Sequence, residues 1–411
     1  MSSPINHRFV WSALAAASIA YCAAVLLFVA TSPTVRIASL PGDYVEFGDE
    51  GSQLDGVMIL STDGLGPCSG NTPEPGDVLI SLAGERTRTF VDLARAVRGL
   101  RDRRIQPGAT LVAGENPSEL PEFREATSEV SLVEIDQQGK LAKVTLLREG
   151  IDEPIVGWVP LQPQSLAGLI WSIAWFVLQA GVVLVVAIAY WHRPFDPALR
   201  TFLAVSMVAM CAFVAGSHWW AIAAHVPFLM IFVTTSLLLP AALLNFFLVY
   251  PVPRRWLTQR PQLALGAVYF LPVVACCVSA TGIATASWLS FDSGGNPLGT
   301  VVKSFGATII RGFLPWLRAG TLAYLVLAAI YFVISIAILV RTDREYRDRR
   351  EHPQIRSILW AAIAAALPLS YALVRAMLDP VGIAYGGARH LCCWPACCSS
   401  PPTPLASFAI A

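Results

Sequence analysis

TFLAVSMVAMCAFVAGSHWWAIAAHVPFLMIFVTTSLLLPAALLNFFLVYPVP, residues 201–253, lies between Arg200 and Arg254 and contains no Lys, Arg, Asp or Glu. A helix needs about 20 mostly apolar residues to cross the hydrocarbon of a bilayer, because there every backbone donor and acceptor must be satisfied within the segment. The run is long enough for two such helices, joined by a tight turn near His225 and Pro227. Lipid is therefore the solvent for much of this chain. Its composition agrees, with 55% hydrophobic and 14% charged residues over 411 positions, where about a quarter are charged in an ordinary globular protein.

Outward from this run the same criterion predicts seven spans: Phe9 to Ala30, Leu166 to Trp191, Leu199 to Ala224, Val226 to Tyr250, Leu263 to Ala286, Ala319 to Val340 and Ser357 to Leu378. The first follows His7 and Arg8 and is longer than the apolar part of a signal peptide, so it reads as a retained anchor. One set of loops holds Arg8, Arg193, Arg200, Arg254, Arg255, Arg260, Arg341, Arg344, Arg347, Arg349, Arg350 and Arg356. The opposite set holds only Lys303, Arg311, Arg318, Arg375 and Arg389. Basic loops stay in the cytoplasm. The N-terminus is predicted there, with the polar stretch between the first two spans outside.

That stretch alternates short β-like runs with turn signals around one helical segment, as a small α+β domain would. Val57 to Leu60 reads as a strand, Pro75-Gly76-Asp77 as a turn into Val78-Leu79-Ile80-Ser81-Leu82, and Gly84 as the next turn. Phe90, Leu93, Ala94 and Val97 recur at helical spacing. A polar insertion from Arg101 to Ser128 precedes a closing strand, Val144 to Gly150. Cys68 is the lone cysteine of the stretch, so no internal disulfide can form there. Cys22, Cys211, Cys276 and Cys277 lie in apolar runs, where a thiol packs as a small hydrophobe.

In the order and spacing of Gly56-Val57-Met58-Ile59-Leu60, Pro75 to Gly84, Thr89 to Val97 and Arg148-Glu149-Gly150, the stretch resembles a bacterial PDZ domain. The resemblance implies capture of an extended peptide along a sheet edge, with Val57, Met58, Ile59, Phe90, Leu93 and Val97 as binding residues and an extracytoplasmic peptide or protein as partner. Asp43 to Gly51 lacks a Gly-Leu-Gly-Phe-like loop. A PDZ fold that packs or senses without capturing peptide therefore stays open beside peptide recognition.

In Leu243-Leu244-Asn245-Phe246-Phe247-Leu248-Val249-Tyr250-Pro251-Val252-Pro253-Arg254-Arg255-Trp256, a span ends at proline, and Arg254, Arg255 and Trp256 anchor it at the headgroup layer of the bilayer. This string and His352-Pro353-Gln354-Ile355-Arg356 resemble the multi-span sensor regions of bacterial membrane histidine kinases and related signalling proteins. Those often read Leu-His-Phe-Phe-Leu-Val-Phe-Pro, and Asn245 stands in place of the His. The resemblance implies a sensor in a two-component system, working as a homodimer, with Asn245 as an intramembrane relay. Read physically, Asn245 suits first an interhelical hydrogen bond worth about 1 kcal/mol. His218 and His225, beside Trp219 and Trp220, read as interfacial, Arg375 can snorkel, and Pro240, Pro272 and Pro368 read as tolerated kinks.

The chain has no His-Glu-x-x-His, no Gly-x-Ser-x-Gly and no phosphate-binding Gly-rich loop with Lys and Ser/Thr. Asp292 sits in a turn-like Ser-Gly-Gly-Asn context. No catalytic residue, metal or cofactor is predicted. A net charge of +1 lacks the basic excess of a nucleic-acid binder. Four regions result: an anchor at 1–35, a PDZ-like domain at 40–155, a six-helix sensor region at 165–380 and a Cys/Pro-rich tail at 386–411. The Cys392-Cys393 and Cys397-Cys398 doublets could bind a soft metal or be acylated, but the abrupt compositional break favours a tail without selected structure, such as a shifted reading frame produces. Seven spans leave the chain outside at Asp379, so a cytoplasmic kinase output would need an eighth. The expectation is a truncated input region that does not autophosphorylate; the rival is a PDZ-containing scaffold or transport-associated membrane protein.

Overall fold

In hydrocarbon a helix satisfies its own backbone, whereas the polar stretch has water and must pair strand to strand. The computed structural model follows that division. It describes residues 4–35, 37–39, 44–47, 54–62, 72–103, 110–111, 130–135, 139–151, 153–164, 166–250, 259–289, 297–346, 353, 355–364 and 374. The helices are α1 (Pro4–Ala30), α2 (Phe90–Gly99), α3 (Leu166–His192), α4 (Pro197–Gly216), α5 (Trp219–Ile222), α6 (Val226–Val249), α7 (Pro261–Leu289) and α8 (Pro297–Glu345). A shorter apolar helix, α9, is Ile355–Ala364. Among the described residues six helices are long and apolar enough to cross a membrane: α1, α3, α4, α6, α7 and the Ala319–Glu345 part of α8. The protein is thus a multi-span helical protein. Of the seventh predicted span, α9 is the described beginning, and Pro368 and Leu378 lie outside the described residues.

Two elements differ from the sequence reading. The span expected from Leu199 to Ala224 is broken after Gly216, and Trp219–Ile222 forms a separate turn of helix. Its start is sharp: Asp196 caps α4 through the Ala198 and Leu199 amides, at 2.9 and 3.3 Å, with Pro197 opening the helix, a fitting position because proline has no amide to leave unpaired. In addition, α8 runs 49 residues, roughly 74 Å at 1.5 Å per residue. Its helical backbone includes Lys303, Arg311 and Arg318, which the sequence reading placed in a loop.

The proline inside α7 is compensated from α8. Pro272 has no N–H to offer the carbonyl of Val268 four residues back, and the Tyr331 hydroxyl donates to that oxygen at 3.0 Å. Close to Pro240, the Leu237 carbonyl of α6 accepts the Tyr324 hydroxyl. Tyr324 and Tyr331 are seven residues apart on one helix, so one face of α8 reaches both proline-containing helices. The bundle interior includes Cys22, Val25, Val29, Val183, Tyr190, Leu203 and Met210 from α1, α3 and α4. Outward faces present Ile170, Val177, Leu184 and Val185, apolar surface that lipid can cover. At the end remote from the sheet, the Arg8 guanidinium lies over the Trp191 ring, an interfacial pairing.

The strands are β1 (Pro33–Thr34), β2 (Tyr44–Phe47), β3 (Leu54–Met58), β4 (Val78–Leu82), β5 (Glu85–Arg86), β6 (Thr110–Leu111), β7 (Leu132–Ile135), β8 (Gly139–Leu147) and β9 (Ile155–Pro163). They form one sheet in the order β1-β9-β8-β4-β3-β2, with β5 on β4 and the β6–β7 pair on β8. The closing strand expected to end at Gly150 instead turns there, with Gly150 at φ +84°, and returns as β9 across seven registered pairs. Ala142, Val144 and Leu146 alternate toward a core with Val57, Ile59, Leu79, Leu93, Val97 and Val159. The sheet reaches Pro33 and Pro163, past both ends of the 40–155 stretch.

Candidate functional site

Helix α2 begins with a capping box: Thr89 Oγ1 accepts the Asp92 amide at 3.2 Å, and the Asp92 carboxylate accepts the Thr89 amide at 3.0 Å. With its start fixed, α2 presents two apolar faces. Leu93, Ala96 and Val97 enter the sheet core. Phe90 and Ala94 turn instead toward the helical bundle, where they cluster with Ala223 against Trp219 and Trp220. The Phe90 and Trp219 rings stack 4.8 Å apart at 21°.

A second contact lies one end further along α2. The Arg98 guanidinium donates to the Thr31 carbonyl at 3.0 Å, Thr31 Oγ1 at 3.3 Å and Ser32 Oγ at 3.2 Å, all where α1 ends. The same group lies 4.6 Å from the Phe28 ring centre, a cation–π contact. Burial, with Arg101 adding to it, holds Arg98 below the ordinary guanidinium value. Phe28 packs edge-on to Phe228 and His225, and His225 lies 4.5 Å from Phe228. Tyr21 ties α1 to the start of α6 by donating to the Phe228 carbonyl at 2.9 Å. Helix α2 therefore stands on the end of α1 and on α5, and these rest in turn on α6.

Helix α5 is seated by Ala221 and Ile222, which are buried in the bundle core, and by His218 at its start. The His218 carbonyl accepts the amides of Ala221 and Ile222 at 3.0 and 3.2 Å. Its ring is 4% exposed, with Nε2 2.9 Å from Ser172 Oγ near the start of α3. Burial pulls its pKa down to about 4. Backbone and side chain of His218 thus contribute to where Trp219 meets Phe90.

Within the sheet, Asp77 of the Pro-Gly-Asp turn is 2% exposed. Arg148 at the end of β8 grips it with Nε and Nη2, each at 2.9 Å, and also donates to the Thr72 carbonyl at 3.0 Å. Asp77 accepts the Glu74 amide at 2.8 Å as well. The hydrogen bond to Asp77 raises Arg148 above its usual value.

The residues singled out for peptide binding are distributed as follows. Val57, Ile59, Leu93 and Val97 meet in the sheet core, Met58 is half-buried beside them on β3, and Phe90 stands apart in the junction. Strand β3 is paired on both sides over Val57, to Tyr44 of β2 and to Leu79 of β4. Asn245 is half-buried and hydrogen-bonds Tyr269 of α7. Arg254, Arg255 and Trp256 lie outside the described residues. Sequence reading missed Arg98, Phe28, Thr31 and Ser32 as partners. The available signal was Gly216-Ser217-His218-Trp219-Trp220, a helix stop followed within three residues by two large aromatics. Among the described residues no three His, Cys, Asp or Glu side chains converge as a metal site would need. Compared with family models, with curated proteins and with solved structures, the chain matches none.

Proposed function

We propose that this protein is a membrane sensor or signal-transduction module, in which a PDZ-like sheet domain on the outer side of a bacterial inner membrane takes the stimulus and passes it to the helical bundle through α2. The observation that carries this reading is the joint itself. Phe90 on Trp219 and Arg98 on Thr31, Ser32 and Phe28 fasten one helix of the sheet domain to two separate elements of the bundle. A ring stack adds about 1 kcal/mol beyond the area it buries, so such a joint can be biased by ligand energies of ordinary size. The excess of arginine in the loops remote from the sheet supports the orientation. The likeness of Leu243 to Trp256 to histidine-kinase sensor regions supports a two-component setting, with a homodimer as the working unit.

Transmission is tested by spin labels at Arg193→Cys and Arg260→Cys, at the end of the bundle remote from the sheet, in the full chain reconstituted in lipid. Pulsed EPR should give a displaced or broadened distance distribution when Phe90→Ala is introduced. An unchanged distribution would mean that the bundle does not respond to the joint. A second reading, a scaffold that holds an extracytoplasmic peptide, is favoured by β2, which ends the sheet and pairs only with β3 among the described strands. Strand addition would use that edge. Peptide binding that leaves the label distances unchanged would select the scaffold.

A further inference from the structure

We infer that His218 is a proton-binding site that controls the joint: neutral, it holds α5 beneath α2, and protonated, it leaves its buried seat and frees the sheet domain from the bundle. The inference rests on the joint being the transmitting element, and names the proton as a ligand acting there.

The geometry leaves His218 little choice. It directly precedes α5, its carbonyl starts that helix, and its ring is pinned 2.9 Å from Ser172. A ring that must move carries Trp219, the next residue, and so the Phe90 stack. Among the described residues no carboxylate is placed to compensate a positive charge there. Residues 166–180 of α3, 207–216 of α4 and all of α5 contain no charged residue. The titratable and charged groups on the other elements of the joint include Cys211 on α4, Tyr21 and Cys22 on α1, the exposed His225 at the head of α6, and Asp92, Arg95 and Arg98 on α2. Asp92 is committed to the Thr89 cap, and the two arginines oppose a further cation. Burial alone moves the His218 pKa, with no charge partner contributing.

The sign follows from linkage. Above about pH 6.5, the value of a free histidine, His218 is neutral whether docked or released, and docking carries no penalty. As pH falls below that value the released form takes up the proton first, and the docked form is disfavoured progressively until its own pKa near 4 is reached. At pH 5.0 the docked-to-released ratio should fall roughly 30-fold relative to pH 7.5.

Hydrogen exchange of the segment 219–225, in the full chain in lipid and corrected for intrinsic exchange rates, reads that ratio even when release is rare. Native protein should lose protection about 30-fold between pH 7.5 and 5.0, His218→Gln should lose none, and His192→Gln, exposed at the remote end of α3, should behave like native. Ser172→Ala, which retains the imidazole, should keep the acid response and covers the case in which His218→Gln does not fold. Equal protection at the two pH values in native protein, or the same loss in His218→Gln, overturns the assignment. Failure of transmission is seen separately, as an unchanged far end of the bundle in Phe90→Ala at pH 7.5, whichever way the acid experiment falls.

Discussion

At the scale of single residues, the most exposed liability is Asp77. A carboxylate buried this deeply depends on its two bonds from Arg148, and removing one partner of a buried pair costs about 3 to 5 kcal/mol. Arg148 is itself partly exposed, so Arg148→Ala should sit at the low end, a loss of about 3 kcal/mol in sheet-domain stability by denaturant unfolding. Glu74→Ala, on the exposed side of the same arginine, should cost under about 1 kcal/mol. Gly56 is a second sensitive position. A Cβ there would meet Val78 Cγ1 at 2.4 Å and the Leu79 carbonyl oxygen at 2.9 Å, so Gly56→Ala should lower the melting temperature of the sheet domain, with about 1 to 3 kcal/mol lost to overpacking. Both Pro75-Gly76-Asp77 and Arg148-Glu149-Gly150 stand out in the sequence as turn motifs. That they are the two halves of one ion pair, 71 residues apart, is a fact of sheet order, which local motifs do not encode.

At the scale of elements, legibility follows how local the determining physics is. Six membrane helices were readable because hydropathy is summed along the segment itself. The break after Gly216 was not, since α4, the turn and α5 are all apolar and a hydropathy window averages over them. Strand β9 was missed because Gly157, Pro160 and Pro163 argue against a strand. Pro160 is tolerated because β9 pairs β8 along its length but meets β1 only at Gln162 and Pro163, so its outer edge needs no donor there. The joint was the least legible part: Phe90 reads as one more core position of α2 until α5 is set beside it. The proline kinks yield a further expectation. Tyr331→Phe should leave the Val268 carbonyl without its donor and destabilise the α7–α8 pair by about 1 kcal/mol. Pro272→Ala, which gives Val268 a helical partner, should largely abolish that cost, and a double-mutant cycle on unfolding in mixed micelles measures the coupling.

At the scale of the whole molecule, orientation is the property most simply tested. Arg88 is exposed on the sheet domain and Arg344 on the remote end of α8. An impermeant thiol reagent applied to intact cells should label Arg88→Cys and spare Arg344→Cys. The reverse pattern would invert the protein and put the proposed input in the cytoplasm. One further consequence follows from the way the chain enters and leaves the sheet. Strands β1 and β9 lie side by side, with Pro33 opposite Pro163 and Thr34 opposite Gln162, so the end of α1 and the approach to α3 are neighbours across a single strand spacing of about 5 Å. The whole sheet is a cassette with adjoining ends, the arrangement under which a domain can be inserted or excised without rerouting its host. Replacing 35–161 by a short Gly-Ser linker should leave a bundle that still enters the membrane with its helices in order, and the excised 33–163 segment should be soluble.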